Sequence, residues 1–346
     1  PKPCTAIVSQ DGTGDYDVLR NEDASEVIQR AIDYAAKKGG GLVSLREGKY
    51  NVYNSILLKS SNISLVGIGA STRIFADLNE TCIRIGTSNP IFNIFIEKLI
   101  IQGKQTASDL IYIKGANRVY IEDCILQFSD GNGLYLDTVL DSVFKGVQVY
   151  DTGNEKLDNY CLKMIATTQE FNKDNVFIGC RFENRRKSGL VYLDKVQNCS
   201  FVACKFHAPS TAISKPLIEY KDMRRTTFNS CYIYAKNANV VIKQSGGFGN
   251  TFVNCRIHGN HNQTFSIISR EIIFANYVQN VKNCFVRLKQ DRSIVAFNEV
   301  EDFVGGYQNY GIILETTAEK NVISVSYTHL RAHETEADLV CRLLLE

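Results

Sequence analysis

The chain has 346 residues, 39 Lys+Arg against 37 Asp+Glu for a formal charge of +2, 44% hydrophobic residues, five Pro and no Trp. That length accommodates one large domain or two ordinary ones. A near-neutral balance gives no global pull toward nucleic acid, and with no run of 18 apolar residues nothing reads as a membrane span.

The chain begins at Pro1, without Met or a charged-then-apolar leader, and is expected to be a mature chain or a fragment. The stretch NEDASEVIQRAIDYAAKKGGG predicts a helix over 24–38. Asp23 or Ser25 suits the N-cap, and Val27, Ile28, Ala31, Ile32 and Ala35 share one face. Gly39 ends it. Residues 1–50 are expected to form a cap of strand and helix, with coils of a repeat from about residue 51.

From there a short string recurs: VFIGCRF at 176–182, SFVACKF at 200–206, TFNSCYI at 227–233 and TFVNCRI at 251–257. With Leu99 and Val147 standing in for the cysteine, the landmarks are Leu99, Cys124, Val147, Cys180, Cys204, Cys231, Cys255 and Cys284, separated by 25, 23, 33, 24, 27, 24 and 29 residues. Apolar residues stand three positions before each (Ile96 to Val281) and two after (Ile101 to Val286). Period two inside each unit means strand, and self-similarity at this period means a solenoid. A second strand precedes most landmarks, as in IYIK at 111–114, LYLD at 134–137, VYLD at 191–194 and IEYK at 218–221. Units of ~25 residues with no helical period predict an all-β, single-stranded parallel β-helix of about nine coils. Like positions then stack ~4.8 Å apart. The landmark points inward, where a small polarizable residue suits a narrow column. The eleven cysteines therefore read as buried free thiols rather than as disulfides or metal ligands, and no CxxC pair exists. Asn175, Thr226 and Asn250, five positions before their landmarks, read as a turn ladder.

The carrying stretches SEVIQRAIDYAAKKGGGLVSLREGKYNV and SILLKSSNISLVGIGASTRI resemble the capping helix and first coils of the right-handed parallel β-helix (pectin lyase-like) superfamily, which includes pectate lyases, polygalacturonases and phage tailspikes. SQDGTGDYDVL resembles the opening of pectinesterases. The resemblance covers 1–324. It implies either a hydrolase or lyase on an acidic polysaccharide, or a non-catalytic spike, adhesin or surface protein, as a monomer or homotrimer. It also implies a secreted, cell-surface or virion-associated setting, whereas free thiols point to a reducing one. The enzyme motifs are missing: the Asp pair, GHG and RIK of polygalacturonases, QDT and DFIFG of pectinesterases, and RxPxxR of pectate lyases. The last segment, VSYTHLRAHETEADLVCRLLLE at 325–346, resembles a translated sequencing adapter. It is expected to be non-native, with the β-helix of 51–324 truncated at its C-terminus.

A filled interior leaves ligands the outside. Loops at 151–160, 208–215 and 259–264 would wall a groove over the first strand of each coil. Alternation places Tyr112, Tyr135, Lys163, Tyr192 and Glu219 in one outward row, and Lys114, Asp137, Ile165, Asp194, Lys221 and Lys243 in the next. Tyrosines offer faces for sugar rings, and Lys163 and Lys221 suit a uronate carboxylate. Asp137 and Asp194, two coils apart, would stand ~10 Å from each other, near the ~6.5–9.5 Å an inverting glycosidase needs. A solvated ladder of opposite charges is the competing reading. A second face carries Arg181, Lys205, Tyr232 and Arg256 beside Tyr150, Glu183, His207, Tyr234, His258 and Arg287. Cations with His207, Glu183 or Tyr234 suit a lyase, which neutralises a carboxylate and removes the adjacent proton. A plain solvent face or oligomer contact competes there too. Asp151, Glu155 and Asp158 supply oxygens of the kind Ca2+ takes, at a spacing that matches no calcium motif. No other cofactor is expected, and a polysaccharide is the expected partner.

Overall fold

The computed structural model describes residues 4–19, 22–104, 109–154, 158–185, 189–209, 215–236, 238–259, 261–268, 270–290, 292–301, 310–315, 320–324 and 327–329. They wind into a right-handed parallel β-helix of about ten turns. One turn shows the plan. Val191–Asp194 lies in sheet C, Val196–Gln197 forms a short corner strand, Ser200–Val202 lies in sheet A, and Lys205–Ala208 lies in sheet B. Every strand pairs in parallel with its copy one turn away, giving sheets of 14 (A), 12 (B) and 11 (C) strands and a corner sheet of four.

The corner between sheets A and B answers why a cysteine recurs. Asp123, Gly179, Ala203, Ser230 and Asn254 take positive φ of 52°, 60°, 52°, 54° and 52°, turning the chain sharply. The next residue must point inward at a bend with little room. Cys124, Cys180, Cys204, Cys231 and Cys255 are buried there. The thiols of the last four reach the carbonyls of Phe144, Phe177, Phe201 and Phe228 one turn below, at 3.2, 3.4, 3.4 and 3.5 Å. A thiol is thus a small apolar filler that still donates weakly. All nine described cysteines (Cys4 and Cys341 aside) are free and buried.

Cys284 does not belong to this column. It sits in strand Val281–Leu288 of sheet C, opposite Gln263 and Tyr310. The column continues instead through Asn276 and Asn298, each after a positive-φ residue, Ala275 or Phe297. Asn276 Nδ2 donates to Phe252 O and Asn298 Nδ2 to Ile273 O, both at 2.9 Å. Asparagine performs the same downward donation as the thiol, so the geometry persists while the letter changes. VKNCFV imitates the corner string only because any sheet strand alternates. Val281, Val286 and Arg287 move to sheet C with it, and the skipped turn accounts for the count of nine.

Inside sheet A, Phe144, Phe177, Phe201, Phe228 and Phe252 form a continuous stack with centroids 4.5–4.8 Å apart. Rung spacing and the preferred offset-stacking distance coincide, so each ring gains contact on both faces. The turn ladder is present as expected. Asn175 Oδ1 accepts from Ser142 N at 3.1 Å and its Nδ2 donates to Val139 O at 2.8 Å. Asn250 serves Thr226 N and Met223 O at 3.0 Å each.

Helix α1, Ala24–Lys37, closes the first turn. Asp23 Oδ1 accepts from Ser25 N at 2.9 Å as N-cap, and Val27, Ile28, Ala31, Ile32 and Ala35 are buried. Strand Cys4–Ser9 pairs with Gly41–Leu45, so sheet A begins before residue 51. At the other end Tyr327–His329 pairs with Glu299–Glu301, which carries sheet B into the segment read as adapter-like; 330–346 lie outside the described residues.

Candidate functional site

The outward face of sheet C aligns Arg84, Tyr112, Tyr135, Lys163, Tyr192, Glu219 and Lys243 on successive rungs. Lys243 is therefore not in the row of Asp194 and Lys221, where the spacing placed it. Ile242 packs inward opposite Ile218, which turns Lys243 onto Glu219 at 3.0 Å. Tyr112 and Tyr135 lie 4.9 Å apart, with the Arg84 guanidinium 5.9 Å from Tyr112. Lys163 Nζ stands 5.8 Å from the centres of both Tyr135 and Tyr160 and donates to Asp158 O at 3.0 Å. Among the described residues no carboxylate lies within ion-pair distance of Lys163 or Arg84, whereas Lys114, Lys215, Lys221 and Lys243 each have one.

Loop residues complete this face. Tyr160 stacks on Tyr192 at 5.3 Å and donates to Asp158 Oδ1 at 2.9 Å. Lys215 bonds the same oxygen and lies 5.2 Å over the Tyr160 ring. Asp109 Oδ1 accepts from both Asn132 N and Asn132 Nδ2 at 2.7 Å. Burial raises the Asp109 carboxyl above its ordinary value, against the hydrogen bonds and against Lys163 and Arg84. Burial also raises Asp158, but Lys215, Tyr160 and Lys163 together hold it below the usual range. Asp109, Tyr160 and Lys215 were not singled out from sequence. A signal existed for Asp109, which stands two residues before its strand as Asn132 does in the next turn.

Asp137 and Asp194 share a column with Ile165 between them, as expected. Asp137, however, has no exposed surface. It accepts from Thr167 N at 2.8 Å, from the hydroxyls of Thr167, Thr138 and Tyr112 at 2.8–3.1 Å, and lies 3.5 Å from Lys114. Burial alone raises this carboxyl, yet the Thr167, Thr138 and Tyr112 donors bring it below the ordinary value. No exposed surface and four donors fasten this carboxylate to the corner, surroundings that favour a structural part over proton exchange with a sugar. Asp194 is 18% exposed and faces Lys221 at 3.6 Å.

The outward face of sheet B gathers the alternative set. Arg181, Lys205, Tyr232 and Arg256 form one row, and Tyr150, Glu183, His207, Tyr234 and His258 the other. Glu183 Oε2 meets Arg181 Nε at 3.0 Å and His207 Nδ1 at 3.1 Å, and Arg185 stands 3.7 Å from its other oxygen. Burial raises Glu183, and His207 with Arg181 more than offsets this. His207, Tyr234 and His258 follow at 4.9 and 4.7 Å, and the Tyr232 hydroxyl bonds His258 Nε2. Burial, then Arg256, His207 and Lys205, lower His258 below the ordinary imidazole value.

Of the calcium set, Asp151 accepts from Arg185 N at 2.9 Å, Asp158 is held by Lys215, and Glu155 lies outside the described residues. Parts of the loops at 151–160, 208–215 and 259–264 lie outside them too. Among the described residues no helix is long and apolar enough to cross a membrane. A cleft of about 430 Å³ opens at the cap, lined by Ser25, Glu26, Gln29, Arg30, Asn54 and Ser55, beside the first strand of sheet C, where Gln29 bonds Leu57.

No family model matches the sequence, and no curated protein matches it. Solved structures do. ORF18 of Geobacillus virus E2 is 21% identical over 93% of this chain with a TM-score of 0.70; the chain spans 62% of that protein's length. DFA-IIIase from Arthrobacter chlorophenolicus A6 without its lid is 11% identical over 92% of this chain and 94% of its own, TM-score 0.71. The C387A mutant of that enzyme in complex with DFA-III is 10% identical over 92% and 94%, TM-score 0.70. At such identities the likeness establishes one thing, that this chain shares their fold.

Proposed function

We propose that the protein binds an acidic polysaccharide along the outward face of sheet C. The observation that carries this is Lys163, a cation with no carboxylate partner among the described residues, set beside the rings of Tyr135 and Tyr160 on a row with Tyr112 and Tyr192. A polymer lying along the axis would meet an aromatic face at Tyr112, Tyr135 and Tyr192 and a charge for its carboxylate at Lys163. Arg84 and Lys221 extend the basic edge. A fold shared with a carbohydrate-active enzyme supports the reading. The test is affinity electrophoresis against polygalacturonate, alginate and a neutral glucan. Retardation by a polyuronate, lost in Lys163→Ala, is expected; equal mobility in all three gels discards the reading.

On sheet B, Arg181 is spent on Glu183, and Lys205 and Arg256 lie over Tyr232 and Tyr277 at 5.2 and 5.6 Å. Arg181, Lys205, Arg256 and His258 are therefore the second choice for substrate. A second reading, a non-catalytic spike, is favoured by the outward face of sheet A. Ile178, Phe274, Ile294 and Val322 are 40, 37, 38 and 55% exposed there, the apolar seam a homotrimer of rods would bury. Sedimentation as a monomer at micromolar concentration removes it.

A further inference from the structure

We propose that Cys180, Cys204, Cys231 and Cys255 form a binding site for soft monovalent metal ions of the copper(I) class, each ion held in line between the thiols of successive turns. The four cysteines stand directly above one another. The amide after each donates to the carbonyl of the cysteine below: Lys205 N to Cys180 O at 2.8 Å, Tyr232 N to Cys204 O at 2.9 Å, Arg256 N to Cys231 O at 2.9 Å. Phe177, Phe201, Phe228 and Phe252, three residues before them, repeat at 4.6, 4.5 and 4.8 Å. Every sulfur also meets the same two carbonyls, one a turn below and one two residues back. Cys204 reaches Phe177 O at 3.4 Å and Val202 O at 3.5 Å; Cys231 reaches Phe201 O at 3.4 Å and Asn229 O at 3.5 Å. Cys255 reaches Phe228 O at 3.5 Å and Val253 O at 3.4 Å, and Cys180 reaches Phe144 O at 3.2 Å and Ile178 O at 3.7 Å. Atoms with the same contacts on each rung repeat at the rung spacing, so neighbouring sulfurs lie ~4.8 Å apart. Two metal–sulfur bonds of ~2.3 Å laid end to end span ~4.6 Å. One rung is thus the length of a linear thiolate–metal–thiolate unit. The thiols act on one another across it, Cys204 on Cys180 and Cys231, and Cys231 on Cys255.

Packing alone does not call for this run. The same corner holds Leu99, Val147, Asn276 and Asn298 on other turns, all buried. Cys124 sits there too, with Leu99 below and Val147 above, and so has no thiol on either neighbouring rung. Thiolate is the soft donor that selects copper(I) among first-row ions. Zinc takes four ligands in a tetrahedron, which a single file of sulfurs does not supply. Charge points the same way. When a monovalent ion enters a gap, one S–H bond breaks and its proton leaves to solvent. A metal–sulfur bond forms in its place, and the second sulfur, still a thiol, gives a lone pair. No net charge is added to the apolar core, which would resist one. The ligands stand 24, 27 and 24 residues apart along the chain, so no CxxC-type spacing announces them. All four cysteines are 1% exposed, and the ion therefore enters when the corner opens locally.

The experiment loads the full, reduced chain with silver(I) nitrate in chloride-free buffer and, without oxygen, with copper(I). Each ion is given both to the folded protein and during refolding. Bound ions are counted after gel filtration, and X-ray absorption reads the ligand shell. The four thiols leave three gaps. Cys204→Val should lower the count by two, since only the gap between Cys231 and Cys255 remains. Cys231→Val should do the same, leaving the gap between Cys180 and Cys204. Valine already stands at this corner as Val147, so both variants keep its packing. Cys124→Val should lower the count by none. The shell should hold two sulfurs at ~2.3 Å, and zinc should not be retained. Equal counts in the parent and Cys204→Val, the same loss in Cys124→Val, a shell other than two sulfurs, or no uptake even on refolding with the ion overturns the site. Should one valine variant fail to fold, the other and the parent's ligand shell decide the matter.

Discussion

Alternate residues of the same strands obey different rules. On sheet C the inward column reads Ile111, Leu134, Leu162, Val191, Ile218, Ile242; one residue along, the outward row reads Tyr112, Tyr135, Lys163, Tyr192, Glu219, Lys243. The inward class does not change from turn to turn, because each side chain must fill the same space against its own copies. The outward row changes size and sign at almost every rung, because its only obligation is to the neighbouring charge and to whatever it touches. Function is therefore to be sought where the column is irregular. One inward irregularity is also instructive. Tyr220, Gln244, Asn250 and Glu271 bring polar groups into the core; Gln244 and Asn250 donate to Glu271 Oε1 at 2.8 and 3.0 Å, while Glu271 Oε2 and the Tyr220 hydroxyl find no hydrogen-bond partner among the described residues.

The contrast is broken most strongly from inside. Phe228 is stacked between Phe201 at 4.5 Å and Phe252 at 4.8 Å, so Phe228→Ala should cost ~3–5 kcal/mol in urea unfolding. Tyr192→Ala, on the outward row, should cost far less; comparable losses would mean the two rows are not different in kind. Asp137→Ala comes next. Removing the one acceptor that Thr167, Thr138 and Tyr112 share should cost ~1–3 kcal/mol, an outward-row residue behaving like a core one. A neutral change in unfolding midpoint would return Asp137 to the solvated ladder.

Glu271 gives an effect of opposite sign. Burial raises its carboxyl well above 4.5, against the Asn250 hydrogen bonds. The folded state thus binds a proton that the unfolded chain releases near pH 4.5, and stability falls as pH rises from there toward the folded value, by about 1.4 kcal/mol per unit. Glu271→Gln should remove that slope and be the more stable protein at pH 7, seen as unfolding midpoints that coincide with the parent at pH 4 and diverge above it. Parallel curves would show that Glu271 is ionised in place. The smallest effect on stability belongs to Lys163→Ala, within ~0.5 kcal/mol, since it removes no buried contact; its consequence should appear in polyuronate binding instead. Loss of several kcal/mol there would make Lys163 a structural residue.

The spacing of like residues was enough to announce a stack of rungs, an inward cysteine, an asparagine ladder and a capping helix, since each arises from a local pattern repeated at a fixed interval. It failed where two patterns look alike or where the interval is not kept. Cys284 copied the corner string inside an ordinary strand, and Lys243 moved by one row because nothing in its seven-residue strand marks the register. Asp137 looked outward by alternation, and only the neighbouring turn, through Thr167, shows that its carboxylate is enclosed. Asp158, Tyr160 and Lys215 come from connections whose length varies from turn to turn, so no period predicts their meeting.

The sequence by itself thus determined the rod and what lines it, because inward residues answer to their own copies one turn away, a relation written along the chain. Only the tertiary structure decided which outward groups are open, paired or enclosed, because that depends on loops from different turns converging over the sheet. Their distances through space have no counterpart in the distances along the chain.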